Sequence, residues 1–222
     1  MNPNGMLERL AGMVLYLEIS SVPAQVEECL RAGIEPSRIL SEGLSTGMRW
    51  VGEKFRCGDI YMPEVLVACD AYYRGLEVVR PHLKKGDSGA RGKMVIGTIH
   101  GDIHTVGKDV AVPVFQAAGY EVIDLGVSVP DEKFVAAIRE HNPQIVGLGT
   151  YMTSTFMHAA ETVNAIKDAG FRSRVKIICG GPAVDAGAAR RMGADDASDD
   201  AWEALAKLDR LMTEWRASEV NA

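Results

Sequence analysis

The segment Gly97-Thr98-Ile99-His100-Gly101-Asp102-Ile103-His104-Thr105-Val106-Gly107-Lys108 sets an aspartate two positions before a histidine. An imidazole nitrogen is a good metal ligand. A carboxylate beside it holds the other ring nitrogen, fixes the tautomer and raises the basicity of the ligating one. The pair follows an apolar run, Met94-Val95-Ile96, that reads as a strand, and it precedes a helix expected to open near Gly107. Junctions of this kind, at the carboxyl ends of strands, are where open α/β sheets bind ligands. Taken without its neighbours, a loop histidine is most simply a polar surface residue, so the weight rests on what surrounds it.

The elements that must position the pair are legible around it. After Lys93, short β-branched runs alternate with amphipathic stretches. The runs are Met94 to Thr98, Glu121 to Leu125, Gln144 to Gly149 and Val175 to Cys179, with a weaker fifth at Ala194 to Ala197. Such alternation predicts right-handed βαβ units and a parallel five-stranded sheet with helices on both faces, closed by a helix over Asp200 to Trp215. Before Leu83 the apolar period is helical, interrupted at Ser20 to Pro23, Gly33 to Pro36 and Arg56 to Asp59, which predicts a bundle of four antiparallel helices. Pro23 and Pro36 fall where a first helical turn accepts proline. The polar, glycine-rich stretch between Lys84 and Gly92 reads as a linker. The expected organisation is therefore a helical domain over 1–85, a linker over 86–92 and a Rossmann-like or flavodoxin-like domain over 93–222.

Composition narrows the function classes. A chain of 222 residues with a net charge of −6 and no basic stripe is a poor candidate for nucleic-acid binding. Cys29, Cys57, Cys69 and Cys179 show no C-x-x-C spacing, which argues for a reducing compartment and against zinc; they read as small buried hydrophobes. No leader pattern and no apolar run of membrane-spanning length is present, so a cytoplasmic protein without a membrane partner is expected. Asp185, Asp195, Asp196, Asp199 and Asp200 suggest an acidic edge, with helix capping an equal reading for Asp199 or Asp200. His82, His141 and His158 are read as structural or solvated, and His100 as a contact of the loop or of a bound ligand's edge.

Asp102-Ile103-His104-Thr105-Val106-Gly107 resembles the D-x-H-x-x-G signature of proteins that bind cobalamin with its nucleotide tail displaced and a protein histidine on cobalt. The family's later S-x-L and Gly-Gly motifs correspond in position to Gly149-Thr150-Tyr151 and Gly180-Gly181, although the letters of the middle motif differ. Three spaced motifs on one βα framework are far more specific than the first alone. Independently, Trp50 to Glu64 resembles the helix-turn-helix of the four-helix cap in cobalamin-dependent methionine synthase and in small corrinoid proteins of methyltransferase systems. The two likenesses together span about Met6 to Trp215.

The resemblance implies that His104 is the lower ligand of cobalt, that Asp102 holds its other nitrogen, and that the Thr155 hydroxyl touches Asp102. It implies a tail slot lined by Gly107, Gly147, Gly149, Gly180 and Gly181, and counts Thr105, Val106, Tyr151 and Thr153 among the residues that bind the cofactor. The family serine at position 149 is replaced by glycine, so its contact to the lower base is missing, with Thr150 or Thr153 as substitutes. Tyr61, Met62, Pro63 and Val65 would shield the upper face. The function implied is a corrinoid protein carrying a methyl group on cobalt. A substrate:corrinoid methyltransferase would load it, an acceptor methyltransferase acting on tetrahydrofolate or a thiol would unload it, and a reductive activator is a further partner. It would be a carrier rather than a complete enzyme, with a hinge in the linker to move the cap. Three competing readings are a cobalamin-binding sensor, the cobalamin subunit of a radical mutase, and a flavodoxin-like domain without cobalamin. A sensor is expected to append a signalling domain for which the chain has no room, and an adenosyl group needs more space than a methyl-sized cap leaves.

Overall fold

The computed structural model describes residues 2–84 and 91–220, with side chains described through Ala217. The chain divides into two compact units, one helical and one α/β. The helical unit contains α1 (Pro3–Leu15), α2 (Val22–Arg31), α3 (Pro36–Arg38), a π-helical segment (Ile39–Leu44), α4 (Ser45–Arg56) and α5 (Met62–Val79), followed by a 3₁₀ turn (Arg80–His82). Because α3, the π segment and α4 follow one another without a break, the described residues of this unit form four helical rods, interrupted where the proline and glycine signals fall. The π segment is an addition to the expected helices: through it and α4 the buried positions Ile39, Gly43, Gly47 and Val51 repeat every four residues.

Local chemistry explains the rod ends. The Asn2 side chain accepts from Gly5 N–H at 2.8 Å, and Glu64 Oε2 accepts from Tyr61 N–H at 3.1 Å, so each satisfies a backbone donor at a helix start. Pro23 and Pro36 lie in the first turns of α2 and α3, where a missing N–H costs nothing. One face of α1 buries Met6, Leu7, Leu10, Ala11, Met13 and Val14. Against it, Gly43 and Gly47 let the third rod approach closely. A methyl on Gly47 would lie 2.6 Å from Val14 Cβ and 2.8 Å from the Ala11 carbonyl oxygen, and one on Gly43 would lie 2.7 Å from Leu10 Cδ2.

In the α/β unit, β1 (Gly92–Thr98), β2 (Tyr120–Asp124), β3 (Ile145–Gly149), β4 (Lys176–Gly180) and β5 (Asp196–Ser198) form one sheet in the order β2-β1-β3-β4-β5. All four pairings are parallel. The helices between strands are α6 (Val106–Ala117), α7 (Asp131–His141), α8 (Phe156–Asp168) and α9 (Ala186–Met192), and α10 (Ala201–Val220) closes the unit. The fold is the expected Rossmann-like sheet with an N-terminal helical region. Register sets Thr98 beside Gly149, Gly149 beside Gly180 and Gly180 beside Ser198, so the carboxyl ends of the four strands are level. After β1 the chain winds to β2 on one side and returns to β3 on the other. The loops leaving β1 and β3 therefore diverge at the switch point where such sheets bind ligands.

Some expectations are corrected. The linker expected over 86–92 lies mostly outside the described residues, and Gly92 already belongs to β1. Cys57 is exposed, because it stands just past the last turn of α4 rather than on its inner face; the other three cysteines are buried. The C-terminal aspartates do not make an acidic edge. Asp185 caps α9 by accepting from Ala188 N–H at 2.7 Å, and Asp200 accepts from Glu203 N–H at 2.7 Å at the start of α10. Asp195 pairs with Arg172 at 2.9 Å and accepts from Ile177 N–H, and Asp196 is buried beside Arg210.

Two glycines on these rods give opposite predictions. Gly47→Ala gains about 1 kcal/mol of helix propensity. Its new methyl meets a Cβ and a backbone oxygen that cannot yield, an overpacking cost of about 1–3 kcal/mol that leaves the variant less stable in urea unfolding. Gly12→Ala meets only the Tyr16 ring, at 3.9 Å, and should be stabilised, by about 0.4–1 kcal/mol.

Candidate functional site

The loop between β1 and α6 begins with a tight turn. Asp102 N–H donates to the Ile99 carbonyl at 3.1 Å, and Gly101, with φ +79°, takes the left-handed position that the turn requires. The turn is tied to the β2–α7 connection, since Gly101 N–H donates to Ser128 Oγ at 3.1 Å and Ser128 N–H to the Asp102 carbonyl at 2.9 Å. The hydroxyl of the fully buried Thr98 donates to the His104 carbonyl at 3.2 Å. The loop that carries the histidine is thereby held at both ends.

Asp102 is fully buried at the centre of this arrangement. Its Oδ1 accepts from His104 N–H at 3.1 Å and lies 2.8 Å from His104 Nδ1. Its Oδ2 accepts from the backbone N–H groups of Tyr151 at 2.8 Å and Met152 at 3.2 Å. The Thr155 hydroxyl is 3.2 Å from Oδ2 and 3.0 Å from the Met152 carbonyl oxygen, so its proton is shared between two acceptors. Burial pushes the Asp102 carboxyl up. The donors on Tyr151, His104 and Thr155 outweigh that and hold it below the usual aspartate range. An ionised carboxylate facing Nδ1 keeps the proton on that nitrogen and leaves the Nε2 lone pair for a ligand. The imidazole is 53% exposed, so the lone pair is accessible.

Around this centre the expected site residues separate. Gly107, Gly149 and Gly181 converge on the ring of Tyr151, which also lies 6.1 Å from the His104 ring. Gly147 instead faces Ile96, whose Cγ1 would be 3.0 Å from an added methyl, so it is a packing glycine. Gly180 opens onto space, with Ser198 O the nearest atom at 4.0 Å. Thr105, Val106 and Thr153 are exposed. The Thr150 hydroxyl turns back to the Leu148 carbonyl at 3.4 Å and is not available to replace the family serine. Met62 and Val65 belong to the helical unit, Met62 exposed and Val65 buried. His100 stands edge-on to His158, with ring centres 5.4 Å apart, and His158 Nδ1 is 2.6 Å from Glu161.

Lys108 is a positioning group that motif reading passes over, although it directly follows Gly107. Its buried Nζ donates to Asp124 at 2.7 Å and to Asp109 at 2.8 Å, tying the first turn of α6 to the end of β2. Burial disfavours its charge, and the two carboxylates more than restore it, so its pKa lies above the usual lysine value.

Among the described residues, no three His, Cys, Asp or Glu side chains gather to hold a metal ion by themselves. A single oriented imidazole suits a metal whose other positions are filled by its own macrocycle. The exposed apolar side chains Ile103, Val106 and Met157 near His104 and Thr155 suit a flat apolar ring. The donor set therefore fits a corrinoid. Asp102→Asn presents an amide N–H₂ to donors on at least one side. It should lower stability to urea by about 1–3 kcal/mol, the cost of unsatisfied buried donors. A loss below a few tenths would show that the clamp is loose.

The chain matches two family models, each described as a B12 binding domain, over residues 92–206 and 6–80. It is 39% identical over 184 residues to trimethylamine corrinoid protein 1 of Methanosarcina acetivorans, covering 82% of this chain and 85% of that protein. It is 34% identical over 213 residues to dimethylamine corrinoid protein 1 of the same organism, covering 96% and 100%. A cobalamin-binding protein from Desulfitobacterium hafniense superposes with a TM-score of 0.72 at 30% identity, covering 92% of this chain and 98% of that one. The methanol:cobalamin methyltransferase complex of Methanosarcina barkeri shares the fold, with a TM-score of 0.83 at 24% identity over 94% of this chain and 80% of that one. Among the described residues no helix is long and apolar enough to cross a membrane. With both halves matched, and with a buried aspartate presenting one histidine at the switch point of the sheet, the chain belongs to the B12-binding corrinoid proteins of methyltransferase systems.

Proposed function

We propose that this protein holds cobalamin with the nucleotide tail detached from cobalt, places His104 Nε2 on the lower face, and carries methyl groups from a methylamine-specific methyltransferase to an acceptor methyltransferase. The observation that carries the reading is the buried Asp102 carboxylate 2.8 Å from His104 Nδ1. The methylamine donor class is supported by the relatives named for trimethylamine and dimethylamine. When bound, the corrinoid supplies a metal centre that takes up and gives away a methyl group.

The chain's own residues do the rest. Asp102 Oδ1 holds the Nδ1 proton, so Nε2 is the only ring nitrogen free to ligate. Thr155 and the N–H groups of Tyr151 and Met152 keep the carboxylate in place. Gly107, Gly149 and Gly181, with Gly180 beside them, line the slot for the tail. Tyr61 and Met62 are exposed apolar groups on the helical unit suited to shielding a methyl group. Partners of this reading are the two methyltransferases and a reductive activator, and its compartment is the cytoplasm.

The test is a methyl-transfer assay on the reduced, cobalamin-loaded protein, followed by its visible spectrum. Trimethylamine or dimethylamine with the matching methyltransferase should methylate it, and methanol with its own methyltransferase should not. The reverse pattern overturns the donor class. In the same preparation Asp102→Asn should weaken ligation through His104, lowering corrinoid affinity by about 10–100-fold.

A further inference from the structure

Tyr151 is fixed by its backbone and confined by its side chain. Its N–H is committed to Asp102 Oδ2 at 2.8 Å, while its ring lies against Gly107, Gly149 and Gly181, at the first turn of α6 and the ends of β3 and β4. A methyl added to Gly107 would lie 2.5 Å from its Cε1 and 2.8 Å from its hydroxyl oxygen. One on Gly149 would lie 3.1 Å from Cε2, and one on Gly181 2.9 Å from Cδ1. Three glycines therefore make room for one aromatic ring: a Cβ at 107 or 181 would collide with it, and one at 149 would press tightly against it. Among the described residues the hydroxyl makes no hydrogen bond. Burial, followed by the nearby charges of Asp102, Asp109 and Asp124, pushes its pKa far up, so it is neutral.

The two departures from the family's middle motif thereby become one. A serine at 149 would put its side chain against the Tyr151 ring and against Thr98, so glycine at 149 and tyrosine at 151 accommodate each other. Because the hydroxyl has no partner, the ring can leave the cleft without breaking a hydrogen bond. The hydrogen bond from its backbone to Asp102 does not depend on where the ring points.

We propose that Tyr151 is a place-holder for the nucleotide tail: its ring occupies the glycine-walled slot until an incoming aromatic base displaces it, and it thereby sets the preference of this chain between complete and tail-less corrinoids. The inference rests on the tail-slot reading above. A ligand that must first displace an occupant binds more weakly by the fraction of molecules in which the slot is clear. The penalty applies to cobalamin and spares cobinamide, which lacks the nucleotide.

The experiment measures affinity for cobalamin and for cobinamide, by equilibrium dialysis, in the parent protein, Tyr151→Ala and Tyr151→Phe, with circular dichroism and thermal melts to verify folding. Tyr151→Ala keeps the N–H to Asp102. It should bind cobalamin about tenfold more tightly, with cobinamide affinity within about twofold of the parent. Tyr151→Phe keeps the ring and should match the parent for both. Equal changes for the two corrinoids, or weaker cobalamin binding in Tyr151→Ala, would make the ring an ordinary wall of the slot and overturn the proposal. Cobalamin bound no better than cobinamide by all three proteins would remove the tail slot itself, and the proposal with it. Retention of neither corrinoid would remove the cofactor reading on which both stand.

Discussion

A fully buried carboxylate must find donors or lose its charge, and in this protein that requirement organises the functional end of the sheet. Asp102 collects backbone N–H groups from its own loop and from the loop after β3, together with the His104 ring and the Thr155 hydroxyl. Two loops leaving adjacent strands are tied at one atom group. The same hydrogen bonds that offset the cost of burial also orient the imidazole. Stability of the loop and presentation of the ligand are thus one interaction.

The sheet supplies the frame for this interaction. The order β2-β1-β3-β4-β5 makes the chain reverse its winding between β1 and β3, and the level strand ends place the two loops side by side. Thr98, Ser128 and the ion pair of the buried Lys108 with Asp124 brace the loop and the first turn of α6. Glycine at 107, 149 and 181 leaves the opposite side open to a ring, and Tyr151 fills it.

Much of this was legible in the chain. All five strands fall within a residue or two of their expected runs, most plainly the central ones, because parallel strands buried on both faces read as short apolar blocks bounded by polar turns. Asp102 lies within hydrogen-bond distance of both His104 and Thr155, the contacts that the resemblance implies. What was not legible depends on three-dimensional contact. The π segment shows only once the backbone hydrogen bonds of the third rod are seen. The aspartates near the C-terminus look like surface charge until their arginine and backbone partners are seen. Gly147 and Gly149 are the same letter two residues apart on β3, yet one packs under Ile96 and the other meets Tyr151. Thr150 looked able to replace the family serine, but its hydroxyl returns to its own strand.

The central claim is that the nitrogen on the lower face of cobalt comes from His104. Its most direct test is the EPR spectrum of the cobalamin-loaded protein reduced to Co(II), prepared with histidine of natural abundance and with ¹⁵N-labelled histidine. The account predicts superhyperfine splitting that changes from triplets to doublets on labelling and disappears in His104→Ala. Splitting that stays a triplet on labelling and persists in His104→Ala would assign the nitrogen to the corrinoid's own base and contradict the account.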